Sequence, residues 1–266
     1  MSDRSYLFVP GDRPERYAKA LATEADRVVV DLEDAVLPAA KASARDTLAN
    51  WLGGADAQPI AVRINGVGTT WHDDDLRAVE AAPSVAAVML PKAETREALE
   101  RIADRVGPNR QVLALMETVR GYMNLRDLAG SRGLSRIAFG SVDFCAETGI
   151  RGLGSELDAI RTELVIVSRW ASLDAPIEGV TLAVKDDALL AEDIHRARRL
   201  GFGAKLCIHP SQVEPVNRGF SATAEEIDWA ERVVTAAADG GAVTVDGKLV
   251  DRPVVEQAEK ILRSAR

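Results

Sequence analysis

Residues Gln111 to Glu117 read QVLALME, and Arg136 to Asp143 read RIAFGSVD. Each is a short apolar run that ends in a carboxylate. Unbroken apolar runs of this kind fit strands buried on both faces, as in a parallel sheet covered by helices. Outward from this pair the same pattern recurs upstream as SYLFVP (Ser5 to Pro10), RVVVDLED (Arg27 to Asp34), PIAVRIN (Pro59 to Asn65) and AAVMLPK (Ala86 to Lys92). It continues downstream as PIEGVT (Pro176 to Thr181) and GAKLCIHP (Gly203 to Pro210). Between the runs lie stretches with helical spacing, such as AETREALERIADRV from Ala93 and DALLAEDIHRARRL from Asp187. Eight strand–helix alternations in a chain of this length predict a closed (β/α)₈ TIM barrel rather than an open sheet.

On this reading residues 1–220 form the barrel and 221–266 a C-terminal appendage. The appendage should hold a helix near Thr223 to Asp239 and a short strand or hairpin, with turn chemistry at Gly240–Gly241 and Asp246–Gly247. It exceeds what eight units require, so it either caps the barrel or reaches another subunit.

Composition narrows the function. With 47% hydrophobic and 28% charged residues the chain is an ordinary globular protein. The net charge of −8 argues against nucleic-acid or anionic-membrane partners, while leaving room for a local basic patch. Cys145 and Cys207 are too few and too far apart for a disulfide framework or a zinc site, and both read as core thiols in strand-like contexts. The N-terminal MSDRSYLFVPGDR carries no apolar leader, and no run approaches the roughly 18 apolar residues of a membrane span. The expected location is the cytoplasm.

In a barrel, catalysis sits where the strands end. Those ends carry Asp31, Glu33 and Asp34, then Arg63 and Asn65, then Lys92, Glu117, Asp143 and His209. A single carboxylate after a strand is usually a helix N-cap. A converging ring of opposite charges suits a reacting site better. Glu117 and Asp143 end adjacent strands, so their carboxylates should lie close together, and such a pair needs a proton, a cation or a local arginine such as Arg120 or Arg136. Two carboxylates plus water and substrate oxygens suit Mg²⁺. Arg63 reads either as an ion-pair partner of Asp31 or Glu33, or as a clamp on a substrate carboxylate or enolate. Lys92 is a further substrate-binding candidate, and His209 reads as a hydrogen-bonded structural residue rather than a base. The segment PGDRPER leads into a helix carrying Arg13, Arg16 and Lys19, either a solvated face or a dock for a nucleotide phosphate. It is not a P-loop or dinucleotide fingerprint.

The segments RSYLFVPGDRPER, VVDLEDAV, VRING, MLPKAET, LMETVRG, AFGSVDF, APIEGVTLAV, GFGAKLCIHPSQV and GKLVDRPVV, in that order, carry a resemblance over essentially the whole chain. The sequence resembles the citrate lyase β-subunit-like proteins, relatives of malyl-CoA lyase in the aldolase/citrate lyase superfamily. The resemblance implies a trimer or hexamer with Mg²⁺ held at Glu117 and Asp143, substrate bound by Arg63, and the acidic pair Asp31 and Glu33 beside it. It also implies that Asp251 acts as an acid or base in a neighbouring subunit's site. The related hydroxy-keto-acid aldolases place a catalytic His after the Glu of the second strand. Here Asp34 follows Glu33, which favours the thioester-using branch. The implied chemistry is Claisen-type cleavage or condensation of a β-hydroxyacyl-CoA from an acyl-CoA and glyoxylate, pyruvate or oxaloacetate, possible malate synthase or thioesterase outcomes included. The alternatives are a citrate lyase β subunit acting on an acyl-carrier-protein thioester, and a non-catalytic 2-oxo acid binding protein.

Overall fold

The computed structural model describes residues 3–54, 58–238 and 243–264. The chain groups into two compact units, residues 2–217 and 218–266.

The larger unit is a closed barrel of parallel strands in chain order. These are β1 (Ser5–Pro10), β2 (Arg27–Asp31), β3 (Ile60–Arg63), β4 (Val85–Leu90), β5 (Gln111–Met116), β6 (Leu134–Phe139), β7 (Ile177–Glu178) and β8 (Ala204–Cys207). Side chains alternate between the barrel axis and the helix layer, because successive Cβ atoms of a strand face opposite ways. Tyr6, Val29, Met89, Leu113, Leu115, Ile177 and Leu206 fill the interior, and alanines at 61, 87, 138 and 204 make room for them. The interior is therefore a packed core, and the chemistry is confined to the rim. Among the described residues no helix is long and apolar enough to cross a membrane.

Two expectations change. The seventh run forms only a two-residue strand, which shares a single ladder pair with β6, Ala138 with Ile177. Pro176 offers no N–H before it, and Gly179 ends it at a close backbone contact described below. Cys145 lies in the helix Ser141–Thr148 and is partly exposed, so only Cys207 is a buried strand thiol. Burial pushes the Cys207 thiol up to about 12, leaving it inert.

The smaller unit contains a helix Ala224–Ala236, whose Thr223 and Glu226 form a reciprocal capping box. A hairpin of β9 (Val243–Val245) and β10 (Lys248–Val250) follows, then a helix Arg252–Ser264. Asp246 and Gly247 turn the hairpin with positive φ at both positions (52° and 73°), as a type I′ turn needs. Ala230, Val233, Val245, Val250 and Ala258 close a core of their own. Gly240–Gly241 lies outside the described residues.

Arg136 closes the barrel floor. Its side chain is 2% exposed, and it donates to the carbonyls of Ala175 and of Asp3 (2.7 Å) while its guanidinium lies over the Tyr6 ring. Arg136→Met keeps the aliphatic stem but removes the charged donors from both carbonyls. The expected loss is about 2–4 kcal/mol, read as a lower denaturant midpoint at unchanged slope. An unchanged midpoint would show that water replaces the guanidinium.

Candidate active site

Several of the strand-end residues named by the sequence meet at one rim. A cavity of about 870 Å³ lies there, and its lining includes Arg16, Lys19, Asp31, Asp34, Arg63, Glu117, Asp143 and His209. Its apolar wall comes from Phe8, Leu115, Phe139, Val180 and Leu206 among others.

A chain of alternating charges runs along the rim. Arg63 grips Asp31 with both edges of a fork: Nε donates to Oδ1 (2.7 Å) and Nη2 to Oδ2 (2.6 Å). The Asp31 oxygens also accept from the backbone N–H groups of Glu33 and Ala35, so this carboxylate is saturated. Its role is to hold Arg63 and the turn after β2. The Arg63 Nη1 lies 3.2 Å from Glu33 Oε2, yet off the hydrogen-bonding direction, and that buried oxygen has no hydrogen-bond partner. Glu33 Oε1 accepts from Lys92 Nζ (2.6 Å). Lys92, held in the left-handed region at φ 48°, donates its backbone N–H to Glu117 Oε1 (2.9 Å).

Glu117 leaves β5 and is followed by Thr118, which caps the next helix itself. Glu117 is thus not an N-cap. It packs against Gly140 after β6 so closely that a Cβ at that glycine would lie 2.5 Å from its Oε2. Asp143 stands just beyond, in the first turn of the helix Ser141–Thr148 rather than at the strand end itself. That helix has no side-chain cap, and its first residues Ser141, Val142 and Asp143 line the cavity. Its N-terminal N–H groups favour negative charge there.

Among the described residues no side-chain cation is hydrogen-bonded to either carboxylate of the pair. Among the described residues the Asp143 side chain has no hydrogen bond and no ion pair. Arg136 is committed at the barrel floor, and Arg120 lies 3.7 Å from Glu94. The nearest ammonium, Lys92 Nζ, is 3.8 Å from Glu117 Oε1 but bonds Glu33. Burial, with the charge of Asp143 added, pushes the Glu117 carboxyl up to about 8 despite Lys92 and Arg63. Burial also raises Glu33, against the pull of Arg63 and Lys92. Burial alone would lower Lys92, but its hydrogen bond to Glu33 raises it overall. Among the described residues no group of three or more His, Cys, Asp or Glu side chains is placed to hold a metal ion.

Other predicted residues fall away from the cavity. Arg13 is exposed beside Asp12 (3.7 Å) and is not in the lining, whereas Arg16 and Lys19 are. Lys92 is not in the lining either, and its ammonium bonds Glu33. Asn65 is buried and bonded to Leu32 and Asp75, a tie between β2 and the helix after β3. His209 accepts from the Ser211 N–H and caps a short 3₁₀ turn, although its ring lines the cavity. In the smaller unit Asp251 Oδ1 accepts from the Val254 N–H (3.4 Å) at the start of the last helix. The sequence reading passed over Gly140 and Ser141 at the rim and Lys41, whose buried ammonium donates to the carbonyls of Leu32 and Glu33. A glycine directly after an apolar strand was the available signal for Gly140.

Fold and site together define a TIM-barrel-like α/β protein with an acidic pair and an arginine at its C-terminal rim. More particularly, residues 4–210 match the HpcH/HpaI aldolase/citrate lyase family, and the chain belongs to it. It is 36% identical over 269 residues to a citrate lyase subunit beta-like protein of Mycobacterium tuberculosis, across 98% of this chain and 94% of that one. It is 32% identical to a (3S)-malyl-CoA thioesterase of Cereibacter sphaeroides, with the same coverage. Among solved structures it is similar to the protein CitE from Mycobacterium tuberculosis in complex with magnesium, acetoacetate and coenzyme A. There the TM-score is 0.87 at 33% identity, covering 99% of this chain and 98% of that one.

The raised Glu117 carboxyl has a consequence for stability. A folded carboxyl that titrates near 8 instead of its ordinary 4.5 favours the fold below about pH 4.5. That contribution is lost as pH rises from there through about 8. Glu117→Gln removes it, so in chelator the variant should gain on the wild type between about pH 5 and pH 9. With about 2 kcal/mol surviving relaxation, the gap in Tm should widen by roughly 5 °C. A gap independent of pH would contradict the raised value.

Proposed function

We propose that this protein is a Mg²⁺-dependent carbon–carbon lyase or synthase that cleaves or forms a β-hydroxyacyl-CoA, with an acyl-CoA and a small 2-oxo acid as its partners. The observation that carries the reading is the pair Glu117 and Asp143, to which no described side-chain cation is hydrogen-bonded, at a cavity that also presents Arg63. Two carboxylates with room for water and substrate oxygens fit Mg²⁺, whereas a structural zinc site would need more protein ligands. The related CitE structure with magnesium, acetoacetate and coenzyme A supports the same assignment.

Glu117 and Asp143 would hold the ion, which when bound supplies Lewis acidity to a substrate carbonyl or hydroxyl oxygen. The remaining work falls to the chain's own groups. The uncapped N-terminus of the helix Ser141–Thr148 receives the carboxylate of the 2-oxo acid. Arg63, fixed by Asp31 along one edge, turns its remaining donors to the enolate oxygen that develops on the thioester. Its side chain is only 11% exposed, so those donors act in a site largely screened from water. On this proposal Arg63 is at once the ion-pair partner of Asp31 and the clamp on the enolate. Asp31 and Glu33 serve the reaction by orienting Arg63 and Lys92. Arg16 and Lys19 offer the cavity cations for the phosphates of coenzyme A. The wall formed by Phe8, Phe139, Val180 and Leu206 receives the acyl group. Hydrolysis of the condensed thioester is the second outcome, favoured by the similarity to a (3S)-malyl-CoA thioesterase. Function in the cytoplasm as a homotrimer or hexamer belongs to the same proposal.

The reading is tested by supplying acetyl-CoA or propionyl-CoA with glyoxylate, pyruvate or oxaloacetate, with Mg²⁺ or with chelator. Conversion of the acyl-CoA to a β-hydroxyacyl-CoA, or free CoA release where the product is hydrolysed, is expected in at least one Mg²⁺ pairing and is abolished by chelator. Silence across all pairings and in the reverse direction with malyl-CoA and citryl-CoA would contradict it.

Asp251 is proposed to move the proton at the acyl-CoA methyl carbon of a neighbouring subunit. Locally it caps a helix, a task worth about 1 kcal/mol. Mixed and exchanged, Asp251→Asn and Arg63→Ala subunits, each inactive alone, should regain activity where an intact Arg63 meets an intact Asp251. No recovery on mixing would confine Asp251 to its own chain or to capping.

A further inference from the structure

Outside the rim, on the helix-facing side of β7 and β8, lies a buried ionic cluster that the proposed reaction does not use. Ile177, Ala204 and Leu206 face the barrel axis, so Glu178 and Lys205 face outward, and they are ladder partners. Arg161 reaches them from the helix Asp158–Trp170. Exposure is 3% for Arg161, 3% for Glu178 and 1% for Lys205. Buried ion pairs are weak stabilisers, because desolvation consumes most of their attraction. The cluster therefore calls for a reason other than stability.

Its contacts supply one. The Gly179 backbone is gripped from both sides: its N–H donates to Glu178 Oε1 (2.8 Å), and its carbonyl accepts from Lys205 Nζ (2.5 Å). The other Glu178 oxygen accepts from Arg161 Nε (2.8 Å). Gly179 in turn abuts the start of the helix that carries Asp143. A Cβ at position 179 would lie 2.5 Å from Ser141 Oγ and 2.9 Å from the Phe139 carbonyl. Beyond the other end of that helix, Arg161 donates to the carbonyls of Leu153 (2.8 Å) and Gly154 (2.6 Å). Backbone pairing cannot do this work, since β6 and β7 share one ladder pair.

We propose that Arg161, Glu178 and Lys205 are positioning residues that fix the start of the helix Ser141–Thr148 and the loop beyond its end, and so set where Asp143 stands relative to Glu117. The consequence for the metal rests on the reading of Asp143 as a ligand. The consequence for the helix does not.

Lys205→Met and Glu178→Gln, made in the full chain, test this, the second guarding against a folding failure of the first. Hydrogen exchange is followed across residues 140–154 and, as a reference, across β2 and β3. Mg²⁺ is titrated by calorimetry. Faster exchange confined to 140–154 is expected, with β2 and β3 still protected and Mg²⁺ affinity weakened about tenfold or more. Unchanged exchange at 140–154 in both variants would overturn the proposal. So would an equal loss of protection throughout the barrel, which is the mark of a merely structural cluster. Local loosening with undiminished Mg²⁺ affinity also overturns it. If the wild type takes up no Mg²⁺, the metal reading fails, and the exchange result alone decides whether the cluster positions the helix.

Discussion

Glu117 follows β5 and Asp143 stands in the first turn of the helix after β6, and among the described residues no side-chain cation is hydrogen-bonded to either. The cations nearest to them are already engaged, Lys92 with Glu33 and Arg63 with Asp31. Burial, with the charge of Asp143 added, makes an ionised Glu117 costly, and its carboxyl is pushed up to about 8. A protein that only needed a stable rim would place an arginine here, or one amide. Retaining both acids makes sense if a cation completes the site.

The rest of the rim keeps that imbalance in place. Asp31 is saturated by the fork of Arg63 and two backbone N–H groups, so it cannot turn toward a metal. Lys92 adopts an uncommon left-handed backbone, and thereby presents its N–H to Glu117 and its ammonium to Glu33. Gly140 lets the end of β6 lie directly on Glu117. Each contact orders a group before substrate arrives, which is how such sites avoid reorganising during reaction.

Much of this was legible in the sequence, for identifiable reasons. Strands buried on both faces write themselves as apolar runs, so the barrel and the residues at its strand ends could be read directly. The neighbourhood of Glu117 and Asp143 followed from strand order alone. What each charged side chain binds did not, because that depends on side-chain reach across the rim. Lys92 reads from the sequence as a substrate ligand and its bond to Glu33 could not be seen there, and Arg13 looked like part of a basic face but lies outside the cavity lining. Arg161, Glu178 and Lys205 were invisible for a related reason. Their meeting requires knowing which faces of β7 and β8 point outward, and β7 is too short for its alternation to show.

The measurement that bears most directly on the acidic pair is calorimetric titration of Mg²⁺ into the wild type, Glu117→Ala and Asp143→Ala, each checked for an intact fold by circular dichroism. If the pair holds the ion, the wild type binds and each single substitution abolishes binding while the barrel remains folded. Unchanged Mg²⁺ affinity in both variants would contradict the assignment and return Glu117 and Asp143 to the status of costly structural acids.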